Sequence, residues 1–131
     1  MTKTLFVCSG NVGRSQMAEG FYNYFTDSQE AYSAGTDPTT PKKYPKLPDA
    51  ICQIMLEEGI DVRHQKVKTI NEHFVENAEQ IFVMCEKEHC PDFLINSSKT
   101  KFWQIADPYK MGLDEMKQIR DQIKAKVRSI V

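Results

Sequence analysis

Neither sign of charge dominates this sequence. Its 17 lysines and arginines stand against 18 aspartates and glutamates, a formal net charge of −1, so it lacks the strongly basic footprint of a nucleic-acid or membrane-surface binder. No apolar run approaches the length of a membrane span, and the first four residues lead directly into a strand-like run, which leaves no room for a signal peptide. A cytoplasmic monomer without a cofactor or a resident metal is the expectation. No internal repeat and no low-complexity segment interrupts the 131 residues. His64, His73 and His89 are the only histidines, and none has an arguable role. Cysteine is limited to Cys8, Cys52, Cys85 and Cys90. A cytosolic chain with 40% hydrophobic residues can bury a core without a disulfide framework, so these cysteines point to catalysis, redox chemistry or metal.

What is present is concentrated in residues 3–15, K-T-L-F-V-C-S-G-N-V-G-R-S. Leu5, Phe6 and Val7 suit a strand buried on both faces, and Gly10 and Gly13 break the chain directly after it. Met17, Ala18, Phe21, Tyr24 and Phe25 then fall on one helical face, so the loop opens into a helix whose N-terminus faces Cys8. Such a loop gathers the backbone N–H groups of Ser9, Gly10, Asn11, Val12, Gly13 and Arg14 toward one point. The helix dipole adds positive potential there, so a tetrahedral oxyanion can be held. Arg14 offers a planar charged fork to two of its oxygens. The same field favours a thiolate at Cys8, with Ser15 placed to donate a hydrogen bond to it. A buried structural cysteine beside an ordinary helix-start arginine is the plain alternative.

Further along, residues 30–35 read as a second strand, and residues 36–48, with four prolines and three lysines, as a long loop at the rim of the site. Pro48 suits the first turn of a helix that Gly59 ends. A short helix is expected over 71–78, a third strand over 80–84, a short polar helix over 86–93, a fourth strand over 101–105 and a last helix over 113–130. Alternating strands and helices predict one α/β domain over 1–131, a parallel sheet covered on both faces in three α/β/α layers. Ligands bind such sheets beyond the carboxyl ends of the strands. Cys8, Ser33, Cys85 and Asp107 stand there, each expected at or just after the end of a strand.

The pattern Cys-x5-Arg-Ser, carried by Cys8, Gly10, Asn11, Arg14 and Ser15 and followed by Met17-Ala18-Glu19, resembles the active-site loop of the low-molecular-weight protein tyrosine phosphatases. The thioredoxin-coupled arsenate reductases share that loop and fold. The resemblance covers nearly the whole chain and implies four parallel strands in the order 2-1-3-4. It puts Asp107, before Pro108, in the place of the phosphatases' general acid, against the alternative of an exposed aspartate starting a turn. Cys85 and Cys90 match the placement of the second and third thiols of the reductases. Those enzymes release arsenite by forming a disulfide on the nucleophile and pass it along the thiols to a thioredoxin-like reductant. The four residues between Cys85 and Cys90 make a shorter spacing than the resemblance implies. A core role for either cysteine, or zinc held by Cys85, His89 and Cys90, remains open.

Trp103 resembles a tryptophan the reductases carry before Asp-Pro, and Gln65 stands where the phosphatases have a histidine. Tyr109 matches one wall of a phosphotyrosine pocket. The opposite wall is missing after Gly35, with Tyr44 the only aromatic nearby, and a one-walled pocket suits a bare oxyanion. Many reductases have a second cysteine where this chain has Gly13. Many also bind potassium near the counterparts of Asn11, Glu19 and Ser33, and here the ammonium of Lys68 is expected to replace it. The expected activity is arsenate reduction, and the alternative is hydrolysis of phosphomonoesters through a phosphocysteine on Cys8.

Overall fold

The computed structural model describes residues 3–131; Met1 and Thr2, on which the expectation of a leaderless start partly rests, lie outside the described residues. In chain order the elements are β1 (Thr4–Cys8), α1 (Arg14–Thr26), β2 (Ala31–Gly35), α2 (Thr40–Lys43), α3 (Asp49–Leu56), α4 (Glu72–Asn77), β3 (Gln80–Val83), a 3-10 turn (Lys87–His89), α5 (Asp92–Ile95), β4 (Thr100–Phe102) and α6 (Leu113–Arg128). The four strands are parallel in the order β2-β1-β3-β4.

The side-chain alternation of the strands divides the core into two. Phe6 and Phe82 point to one face, where they join Phe21, Ile54 and Ile123 from α1, α3 and α6. Leu5, Val7, Ile81 and Val83 point to the other, against Val75 of α4 and Leu94 of α5. The sheet is thus the middle of three layers, and every residue of β1 is buried. That burial on both faces is why Leu5-Phe6-Val7 is a continuous apolar run rather than an alternating one. β1 pairs with β2 and β3, Cys8 standing opposite Gly35 and Val7 opposite Val83, so the loop after β1 sits over the middle of the sheet.

Several elements depart from the sequence reading. α2 forms inside the expected proline-rich loop, since Pro41 in its first turn needs no helical partner. The expected helix over 86–93 is split: Pro91 supplies no N–H and Cys90 before it is extended, at φ −95 and ψ 139. β4 is an edge strand ending at Phe102, and only the bond from Trp103 N–H to the Val83 carbonyl (2.8 Å) continues its ladder. Ser33 lies in the middle of β2 rather than at its end.

Candidate active site

The loop between β1 and α1 is built around Asn11, whose backbone is left-handed (φ 56). Asparagine tolerates that conformation better than most residues. It turns the Asn11 N–H back on Cys8 Sγ at 3.3 Å. The Asn11 side chain donates through Nδ2 to Ser15 Oγ at 2.8 Å, and Ser15 Oγ lies 2.9 Å from Cys8 Sγ. When Cys8 is a thiolate its sulfur can only accept, so the Ser15 hydroxyl, whose oxygen accepts from Asn11, then donates its proton to the sulfur. Gly35 makes room for the loop, since a Cβ there would stand 2.7 Å from the Ser9 carbonyl oxygen and 3.0 Å from the Asn11 nitrogen.

Arg14 opens α1 and is buried. Its Nη1 donates to the Met84 carbonyl and, at 3.0 Å, to the Ile105 carbonyl, while Nη2 is 3.6 Å from Asp107 Oδ2. The guanidinium is therefore fixed by backbone from beyond β3 and β4, and the Asp107 carboxylate shares its field. Asp107 Oδ1 also accepts the Tyr109 N–H at 3.0 Å, holding the turn in place. Cys8, Arg14 and Asp107 line one cleft of about 420 Å³. Tyr109 lines it, and so does Tyr44, the nearby aromatic, which follows α2 directly, so the pocket expected to have one aromatic wall is lined by an aromatic side chain from each of two loops.

Cys85 follows β3, the neighbour of β1, and its Sγ is 3.8 Å from Cys90 Sγ. Both are free thiols. Burial pushes the Cys85 thiol up to about 12, with Cys90 and the charge of Cys8 acting in the same sense and Arg14 against them. Burial also raises Cys90, with Glu88 adding to the effect and the contact with Cys85 opposing it. Cys52, on α3, is raised by burial and by Asp49 and Asp61, and it lies outside the cleft. Among the described residues no group of three or more His, Cys, Asp or Glu side chains is gathered to hold a metal ion. The trio of Cys85, His89 and Cys90 therefore carries no metal argument.

Behind the loop, Lys68 is nearly buried: its Nζ donates to the Lys66 carbonyl at 2.5 Å, lies 3.8 Å from Glu19 Oε1 and sits 4.4 Å above the Tyr32 ring centroid. Glu19 accepts from Ser33 Oγ at 2.7 Å. Burial raises the Glu19 carboxyl and lowers the Lys68 ammonium, each partly offset by the other's charge. The expected placement of an ammonium beside Glu19 is thus met. Gln16, which the sequence reading passed over, is fully buried against Asn11, and Gln65 reaches it from the far side. A glutamine has no chemical signature, so only the position of its amide among acceptors reveals it.

No helix among the described residues is long and apolar enough to cross a membrane. Residues 3–131 match the family described as low molecular weight phosphotyrosine protein phosphatase. An arsenate reductase of Staphylococcus aureus (strain Newman) is 32% identical over 127 residues, 95% of this chain and 92% of that protein. A solved arsenate reductase in the phosphate binding state is 25% identical with a TM-score of 0.81, covering 99% of this chain and 96% of that one. Vibrio vulnificus Wzb in complex with benzylphosphonate, at 20% identity and a TM-score of 0.84 over 98% of this chain and 95% of that one, shares the fold.

Proposed function

The chain belongs to the low molecular weight phosphotyrosine protein phosphatase family, and from that premise we propose that it reduces arsenate to arsenite by passing oxidation along Cys8, Cys85 and Cys90. The observation that carries the reading is the pair of free thiols 3.8 Å apart at the end of the strand beside the Cys8 strand. Arsenate sits on the loop amides of residues 9–14 and on Arg14. The Cys8 thiolate attacks arsenic; an As–S bond forms, and an As–O bond breaks as Asp107 gives its proton to the departing oxygen, which leaves as water. The Cys85 thiolate then attacks Cys8 Sγ. An S–S bond forms, the As–S bond breaks with its electron pair left on arsenic, and arsenic(V) departs as arsenite. Cys90 attacks Cys85 Sγ, frees the Cys8 thiolate and leaves a Cys85–Cys90 disulfide. A dithiol protein of the thioredoxin type reduces that disulfide. The net reaction consumes one dithiol and yields one disulfide and one water. The similarity to curated arsenate reductases supports this reading, which is proposed for a monomeric cytoplasmic enzyme without a cofactor.

A second reading, hydrolysis of phosphomonoesters, draws on different observations. Asp107 stands 3.6 Å from Arg14, and the cleft carries Tyr44 as well as Tyr109. In that case Cys8 forms a phosphocysteine, Asp107 protonates the leaving oxygen and then activates water, and Cys85 and Cys90 take no part. Comparing the intact protein with Cys85→Ser and Cys90→Ser in two assays separates the readings. Arsenate-dependent NADPH oxidation through thioredoxin and its reductase is expected to collapse in both variants, while hydrolysis of an aryl phosphate persists. Wild-type arsenate turnover in both variants, or none in the intact protein, rules out the reductase reading.

A further inference from the structure

The Ser15 hydroxyl can aim its proton at Cys8 only if the Asn11 amide keeps its NH2 toward Ser15, and that orientation is imposed from outside the loop. Asn11 Oδ1 accepts from Gln16 Nε2 at 2.9 Å and from the Lys68 N–H at 2.8 Å. Two donors facing this atom require an oxygen there, and so place Nδ2 at Ser15. Gln16 is oriented in turn. Its Nε2 faces three acceptors, the Asn11 carbonyl (3.0 Å), Asn11 Oδ1 (2.9 Å) and the Lys66 carbonyl (2.7 Å), while its Oε1 accepts from Gln65 Nε2 at 2.8 Å. Gln65 Nε2 also donates to the Gln16 carbonyl at 3.0 Å. The outer end of the chain is a second, polar cavity of about 340 Å³ lined by Gln65, His64 and Asp61.

We propose that Gln16 and Gln65 are positioning residues: their amides form a relay, Gln65 to Gln16 to Asn11 to Ser15 to Cys8, that holds the Asn11 amide, and through it the Ser15 hydroxyl, in place at Cys8. It rests on the reading of the Cys8 loop as an oxyanion site, and it holds for either fate of the adduct. The Lys68 N–H and the Asn11 and Lys66 carbonyls fix the sense of the Asn11 and Gln16 amides, and each side-chain donor holds its inner neighbour in place, so removing one loosens those inside it. Gln16 acts through Asn11 and touches no substrate. A buried glutamine that only filled space would tolerate any side chain of its size.

The test uses Gln16→Met, Gln16→Glu, Gln65→Met and the double variant Gln16→Met/Gln65→Met. Three quantities are measured on each: the Kd for inorganic phosphate by titration calorimetry, kcat and KM for an aryl phosphate, and Tm. Gln16→Met is expected to weaken phosphate binding and lower kcat by roughly tenfold, the scale of one hydrogen bond to a charged group. Gln16→Glu keeps the shape but turns an acceptor onto three acceptors, and it is expected to lose at least as much. Gln65→Met, at the cavity wall, is expected to lose roughly threefold with little change in Tm. Because the links act in series, the double variant is expected to match Gln16→Met alone. Unchanged phosphate affinity and kcat in the variants, or losses that multiply in the double variant, overturn the relay. An intact protein that binds no phosphate overturns the oxyanion site itself, and the relay with it.

Discussion

At the scale of single residues, the chemistry divides between groups recognisable by type and groups defined only by surroundings. Cys8, Arg14, Ser15 and Asp107 have side chains whose reactivity is specific; the structure brings Cys8, Arg14 and Asp107 to one cleft and buries Ser15 against the Cys8 sulfur. Gln16 was not legible, and Gln65 was marked only by standing where the phosphatases have a histidine, because an amide gains meaning only when the backbone has set acceptors on one side of it. Cys85 falls between: its place after a strand was readable, its burial was not. That burial has a kinetic consequence. With the thiol pushed up to about 12, only a small fraction is thiolate at neutral pH, and the fraction grows about tenfold per pH unit below that value. The rate at which arsenite is released from the Cys8 adduct in a single turnover is therefore expected to rise about tenfold per unit between pH 7 and pH 9. Stopped-flow detection of disulfide formation against pH checks this, and a flat profile would show that Cys85 thiolate is not what limits the step.

At the scale of elements, β1, α1 and β3 were readable from apolar runs and helical periodicity. What the sequence hid was where backbone chemistry interrupts an element. Pro91 splits the expected helix over 86–93 and leaves Cys90 at the break, in extended conformation. β4 stops at Phe102 because an edge strand with one neighbour has little to hold it once its partner β3 has ended. The end of β2 is where element packing meets the site, since Gly35 pairs with Cys8 and lies under the loop. Gly35→Ala places a methyl 2.7 Å from the Ser9 carbonyl oxygen. Relief requires the loop backbone to move, at a cost of about 1–3 kcal/mol. Chemical denaturation is expected to show that loss, and phosphate affinity to fall with it. Wild-type affinity in this variant would mean that the loop does not need its present height above β2.

At the scale of the whole molecule, the alternation of strands and helices specified a parallel sheet, and the order β2-β1-β3-β4 followed from the family resemblance rather than from periodicity. That order sets β1 beside β3, and it is this adjacency, invisible in the spacing of Cys8 and Cys85 along the chain, that puts the Cys8 loop and the thiol pair at the same edge of the sheet. The fate of the Cys8 adduct is the central claim, and one measurement addresses it without knowledge of the physiological reductant. Fully reduced protein is mixed with arsenate in the absence of any other thiol, then quenched in acid, with arsenite quantified and the cysteines mapped by mass spectrometry. The account predicts about one arsenite per chain at completion and a disulfide joining Cys85 to Cys90, with Cys8 returned to the thiol, as the balanced steps require. No arsenite, with Cys85 and Cys90 both still reduced, would contradict it.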